Sequence, residues 1–98
     1  MKHIIQNINK AFDNRIRLGI MSVLMVNESA DFATLKELLG ITDGNLASHA
    51  KALEAENYIS VEKQFIGKKP NTSYRATPEG KKAFQAHIEA LEKLISKS

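Results

Sequence analysis

The fold turns on one stretch, LKELLGITDGNLASHAKALEAENYI, residues 35–59. It divides at Gly40. Before it, Leu35, Leu38 and Leu39 have the spacing of an inward helix face. After it, Leu46, Ala50 and Leu53 repeat at i, i+4 and i+7, the stripe of a second helix expected over about 43–57. Gly40 suits the left-handed position that ends a helix. Ile41 packs in the turn, and Thr42 is a good N-cap for the second helix. The face opposite the stripe is small and polar: Asp43, Gly44, Asn45, Ser48 and His49. It is either ordinary solvated surface or a surface shaped to enter something narrow.

Upstream, FDNRIRLGIMSVLMVN opens on Asp13 or Asn14 as a cap. Ile16, Ile20, Val23 and Leu24 take one side of this helix, and Leu18, Met21 and Met25 another. A helix apolar nearly all round is buried on several faces, so this is the expected central helix. Ile4, Ile5, Ile8, Ala11 and Phe12 predict a short amphipathic helix over residues 3–12. NESAD reads as a loop, and Phe32 anchors the helix TLKELLG.

Downstream, the period changes from helix to strand. Ile59, Val61 and Phe65 alternate with Ser60, Glu62 and Gln64, which buries one face. GKKPN reads as a turn, because neither Gly67 nor Pro70 suits a strand interior. TSYRA is a second short strand with Tyr74 and Ala76 inward. Thr77 then caps a last helix, Pro78 takes its first position and Glu79 complements its dipole. Phe84, Ile88, Leu91 and Ile95 form that helix's stripe, with Ala83, His87 and Leu94 beside it. The order predicts one mainly α domain over residues 1–98, a winged helix-turn-helix with a two-stranded β-hairpin wing and extra terminal helices.

Composition narrows the function. Of 98 residues, 43% are hydrophobic and none is cysteine, which excludes disulfide frameworks and thiolate metal sites. No run of apolar residues reaches membrane-spanning length and the first residues lack a signal-peptide pattern, so a cytoplasmic protein is expected. His3, His49 and His87 lie on different elements and form no ligand pair, so no metal or other cofactor is expected. No catalytic residue stands out: there is no glycine-rich phosphate loop, no Ser/His/Asp set in a known context, and Glu54 and Glu56 are ordinary helix-surface acids. An enzyme is not expected.

The net charge of +3 is unevenly spread. Lys2, Lys10, Arg15 and Arg17 face only Asp13 in the first twenty residues. Lys63, Lys68, Lys69 and Arg75 face only Glu62 over 60–75. Between them lies an acidic middle: Glu28, Asp31, Glu37, Asp43, Glu54 and Glu56 against Lys36 and Lys51. Basic flanks around an acidic middle make a field of the kind polyanion binders show, although the same net charge also serves solubility.

The segments FDNRIRLGIMSVL, FATLKELLGITDGNLASHAKALEAENYISVEK and KKPNTSYRATPEGKKAF resemble the small stand-alone winged-helix transcriptional regulators related to the ArsR and MarR groups. The resemblance covers about residues 11–90. It implies a turn and recognition helix in ITDGNLASHAKALEAENYI, and a second wing strand leading into the last helix in YRATPEGKKAF. The ArsR-type metal sensors use a cysteine-bearing helix, which this chain lacks. No residue argues for a MarR-like pocket for a small-molecule effector.

Double-stranded DNA is then the expected partner. A helix entering a major groove about 12 Å wide needs hydrogen-bonding side chains near its N-terminus. Asn45 is the best base reader, since its amide can pair bidentately with adenine. Gly44 admits backbone close to the duplex. Thr42, Ser48, His49 and Lys51 complete the face, with His49 equally readable as a packing residue. Phosphate neutralisation must come from the flanks: Lys68, Lys69, Asn71 and Thr72 at the wing, Arg75 behind them, and Arg15 and Arg17 at the start of the central helix. Arg17 also reads as one half of a structural ion pair, and the wing lysines as a solubilising loop.

The helices over 1–12 and 78–98 carry more apolar surface than one wing covers. Ile4, Ile5, Ile8, Phe12, Phe84, His87, Ile88, Leu91 and Ile95 are expected to build a homodimer across a two-fold axis. The alternative is that these helices pack on each other within one chain. The rival to DNA binding is a winged helix used as a protein-interaction module, with the acidic stretch as its contact surface.

Overall fold

A computed structural model of the chain describes residues 8–96. Four α-helices and three strands follow in order: α1 (Arg15–Val26), β1 (Ala30–Asp31), α2 (Phe32–Leu39), α3 (Asp43–Ala55), β2 (Ile59–Ile66), β3 (Lys69–Ala76) and α4 (Pro78–Ile95). The sheet is antiparallel in the order β1-β3-β2. It is a winged helix: three helices pack around one core and the β2–β3 hairpin projects from it.

Side-chain caps set the helix starts. Asn14 accepts from the N–H groups of Ile16 and Arg17, Asp31 from Thr34, Thr42 from Asn45, and Thr77 from Gly80. Each satisfies an amide that the first turn of a helix leaves without a partner. Hydrogen bonds from the Thr34 backbone and side chain, with a smaller one from the Asn71 amide, hold the Asp31 carboxyl below its ordinary value. Gly40 closes α2 at φ +62, as a left-handed cap requires. Asn57 takes the same conformation just past α3. Its carbonyl receives the Thr77 hydroxyl at 2.8 Å, which ties the end of α3 to the start of α4.

The core is aliphatic with an aromatic edge. Ile20, Met21 and Leu24 of α1, Leu35 of α2, and Leu46, Ala50 and Leu53 of α3 are buried together with Ile59 and Tyr74 of the sheet. At the edge, Phe12 packs between Tyr58 and Phe84, with ring centroids 5.1 and 5.2 Å apart. Asn9 secures this corner. Its backbone N–H donates to His87 Nδ1 at 3.0 Å, and its amide donates to the Tyr58 hydroxyl at 3.1 Å. His87 is 2% exposed, and burial holds its pKa below the ordinary 6.5, with the Asp13 carboxylate pulling partly the other way. Gly80 lets α4 lie against the chain at Tyr58: a Cβ there would run into the Tyr58 carbonyl oxygen.

Several expectations need correction. The amphipathic helix over 3–12 is not continuous: Asn9 is extended and caps a single 3-10 turn, Lys10–Phe12. Residues 1–7, with Ile4, Ile5 and His3, lie outside the described residues. NESAD is not all loop, because its last two residues pair with Tyr74 and Ser73 and add a third strand. The hairpin turn is shorter than GKKPN. Lys69 already pairs with Ile66, leaving Gly67 and Lys68 as a two-residue loop. Pro70 does sit in a strand, opposite Phe65. Counting from the turn, this is a non-hydrogen-bonded pair, so proline's missing N–H faces away from β2. Leu38 is 62% exposed rather than inward, and Phe65 is 73% exposed because the wing runs past the core it was expected to cover.

Candidate nucleic-acid interface

On α3 the buried stripe leaves an exposed face whose rows follow from helical spacing. Gly44, Ser48 and Lys51 form the middle row and all are exposed. No atom lies within 4 Å of where a Gly44 Cβ would stand, so the approach to the helix start is open. Asn45 and His49 lie one row toward α1, and Ala47 and Glu54 one row toward the wing. Asn45 is exposed, and its backbone N–H donates to the Thr42 hydroxyl at 3.1 Å.

Toward α1, Arg17 Nε donates to His49 Nδ1 at 3.1 Å. Nδ1 is the acceptor of this bond, and Nε2 is the ring nitrogen it leaves over. The bond joins α1 to α3 and fixes both side chains at the margin of the exposed face. Arg17 thus has a structural partner, a histidine rather than an acid. Arg15 is exposed at the first position of α1.

Toward the wing, a groove runs between α3 and the hairpin, lined by Ala47, Lys51, Glu54, Val61, Lys63, Thr72 and Tyr74. Strand register explains the lining: Val61 pairs with Tyr74, Lys63 with Thr72 and Phe65 with Pro70, and residues two apart share a face. Burial, with a smaller contribution from the Glu54 carboxylate, raises the Tyr74 hydroxyl above its ordinary value of 10.0 and keeps it neutral. Asn71 and Arg75 lie on the other face of the hairpin, away from α3. Asn71 donates to Asp31 at 3.3 Å and Arg75 pairs with Glu28 at 3.5 Å. Lys68 forms part of the turn at the tip, and Lys69 begins β3 beside it.

The sequence placed Lys68, Lys69, Asn71 and Thr72 at the wing tip with Arg75 behind them; of these the structure sets only Thr72 in the groove beside Lys51. It adds Lys63, which sequence reasoning passed over, although its parity with Val61 already put it on that face. The acidic middle is also dispersed. Asp43 is bridged to Lys36 at 2.8 Å, Glu28 to Arg75, and Asp31 caps α2. Glu54 and Glu56 stand at the far end of α3 from Gly44 and Asn45.

At the expected dimer surface, Phe12, Phe84 and His87 are already covered within the chain. Ile8, Ile88 and Leu91 are half-buried. Leu94 and Ile95 remain 37% and 86% exposed at the end of α4. Among the described residues no group of His, Cys, Asp and Glu could hold a metal ion, and no helix is long and apolar enough to cross a membrane.

The sequence pattern of the winged helix DNA-binding domain family matches residues 16–95. The uncharacterized protein MJ0432 of Methanocaldococcus jannaschii is 35% identical over 79 residues, which span 81% of this chain and 86% of that one. A transcriptional regulator homologue from Pyrococcus horikoshii OT3 superposes with a TM-score of 0.84 at 30% identity, covering 96% of this chain and 91% of its own. A PadR family transcriptional regulator from Eggerthella lenta gives a TM-score of 0.59 at 26% identity, over 86% of this chain and 88% of its own.

Proposed function

Since this chain belongs to the winged helix DNA-binding domain family, and is a DNA-binding regulator rather than an enzyme, we propose that it reads a palindromic operator as a homodimer. In this reading α3 enters the major groove and the wing lies along the backbone or in the minor groove. The observation that carries it is the exposed α3 face: open at Gly44, with Asn45 and Ser48 unobstructed and Lys51 beside Lys63 across a groove to the wing.

Each part has a role in this scheme. Asn45 reads a base edge. Ser48 and Thr42 donate to phosphate or base. Arg15, Lys51, Lys63, Lys68 and Lys69 neutralise phosphates and supply most of the affinity. Arg17 and His49 act as a pair, with the guanidinium held at the margin of α3 to reach the backbone. Asn71 and Arg75 stay on the outer side of the wing and contribute less. The exposed Leu94 and Ile95, with Ile88 and Leu91, supply the two-fold contact that sets two copies of α3 about one helical turn of DNA apart.

Selection of bound sequences from random duplexes tests the scheme. The expected product is a palindrome whose half-sites are about 10 base pairs apart, centre to centre. Asn45→Ala should relax preference at one position per half-site, with a discrimination loss of about 1–3 kcal/mol there. Recovery of no enriched sequence, together with binding indifferent to salt, would remove the reading.

A further inference from the structure

The wing ends in two large apolar side chains. Phe65 is 73% exposed and Ile66 61% exposed, and they are adjacent in β2. Exposed apolar side chains at the end of a long hairpin invite association, and natural sheets tend to avoid them. Here they are present, on a hairpin whose strands stay paired beside them. The hairpin remains paired out to Ile66 and Lys69. Gly67, at φ +66, takes the first central position of a two-residue turn, a position that favours glycine. Pro70, with its φ fixed by its ring, stands across from Phe65.

Direction and charge identify the occupant. Phe65 and Pro70 lie on the hairpin face that continues through Lys63 and Thr72 to the groove beside α3. Ile66 and Lys69 point to the opposite face. The tip stands roughly 15 Å beyond the Val61–Tyr74 pair, counting about 3.3 Å per strand residue. Lys63, Lys68 and Lys69 surround it, and Glu62 is the one acid in residues 60–75. An apolar point ringed by cations, on the same side as α3, fits a groove walled by phosphates.

We infer that the wing tip is an apolar wedge: Phe65, with Pro70 beside it and Ile66 on the reverse face of the same tip, enters the minor groove of the bound duplex and partly unstacks one base step. Lys63, Lys68 and Lys69 hold the phosphates on either side. The aromatic ring replaces part of the stacking that the opened step loses, and the duplex kinks toward the major groove, against α3. The protein would then deform its operator as well as read it, favouring a flexible pyrimidine–purine step where the wing lands. This rests on the DNA-binding reading above.

The test uses the full chain and a duplex recovered by selection from random sequence. The duplex carries a donor–acceptor pair at its ends and 2-aminopurine at successive positions. The protein should shorten the end-to-end distance, consistent with a bend of about 20–90°, and raise 2-aminopurine fluorescence at a step flanking the α3 contact. Phe65→Ser with Ile66→Ser should abolish both signals while the duplex is still bound, with the salt dependence kept. Phe65→Leu, which preserves an apolar wedge, should retain most of the bend. Both side chains are exposed, so an unchanged melting temperature is the expected folding control.

A bound but straight duplex overturns the wedge and leaves DNA binding intact. No binding to any duplex overturns both. An unchanged bend in the serine variant, with lost retention on anionic vesicles, assigns the tip to a lipid surface instead and overturns the proposal.

Discussion

Two aromatic corners of this molecule are built on opposite terms. At the inner one, Phe12 is 2% exposed and touches Tyr58, Phe84 and His87, and the Asn9 backbone and amide pair with the polar groups beside it. At the outer one, Phe65 is 73% exposed, and its cross-strand neighbour is Pro70. Both sit close to where the chain changes direction. The difference is what lies behind them. Phe12 closes the seam between α1, α4 and the start of β2, so removing it opens a hole. Phe65 closes nothing, so removing it should cost the fold little. Apolar side chains serve stability where they complete a core. Where they stand clear of one, they add little to it.

The sharpest way to break this comparison is to make the same change at both ends. Phe12→Ala should destabilise the protein by about 3–5 kcal/mol, the usual cost of emptying a buried aromatic site. Phe65→Ala should move stability by no more than about 0.5 kcal/mol, as at surface positions generally. Urea denaturation followed by circular dichroism measures both. Comparable losses would mean that the wing tip packs on something within the chain.

Gly80→Ala probes the same seam by adding volume. The new methyl would meet the Tyr58 backbone rather than a yielding side chain, so α4 must shift. A loss of about 1–3 kcal/mol is expected, the range for overpacking. The Phe12 corner and the Thr77–Asn57 tie should loosen together, since both anchor α4. Hydrogen exchange at the α4 amides would register this.

His87 makes the inner corner sensitive to pH. Burial lowers its pKa in the native state, so the unfolded chain takes up a proton first as the pH falls through the ordinary value of 6.5. The native state then binds fewer protons than the unfolded one, and stability rises with pH across that window. The stability is fully present above 6.5 and drains away below it, toward the native pKa. Protonation of Nδ1 would also cancel the bond from the Asn9 N–H. The melting temperature should therefore fall between about pH 7 and pH 5, and His87→Gln, which never charges, should flatten that fall. An equal fall in the variant would place the sensitive group elsewhere.

How much of this was legible depended on how local its cause is. The α3 stripe of Leu46, Ala50 and Leu53 and the caps Thr42 and Thr77 follow from spacing and short-range hydrogen bonds, and all appear as read. The small face of α3 could be found by subtracting that stripe. Alternation in β2 showed which way Phe65 points. It could not show that the core ends before Phe65, because the extent of a core is set by the other elements. Leu38 failed similarly: an i+3 neighbour of Leu35 drifts off a narrow stripe that Leu39 stays on. The strand at Ala30 and Asp31 has no propensity of its own and exists because β3 offers an edge. The Asn9–His87 and Arg17–His49 bonds join residues 78 and 32 positions apart, and no local pattern encodes such meetings. At the wing, a run of polar residues looked like one patch, but successive strand residues face opposite ways, which separates Asn71 and Arg75 from Thr72.

The smallest expected effect on stability belongs to the wing lysines, and there the comparison is sharpened rather than broken. Lys68→Ala with Lys69→Ala removes two exposed charges at the turn that have no part in the core. Stability should change by less than about 0.5 kcal/mol. Binding to duplex DNA should respond quite differently. Each lysine that neutralises a phosphate releases counterions, so the slope of log K against log salt should fall by about 1 for each phosphate no longer neutralised. The weakening should be similar on operator and non-operator duplexes, because phosphates carry no sequence information. A slope left unchanged, with the fold intact, would mean that the tip of the wing does not hold the backbone. The grip would then fall to Arg15, Lys51 and Lys63 around α3.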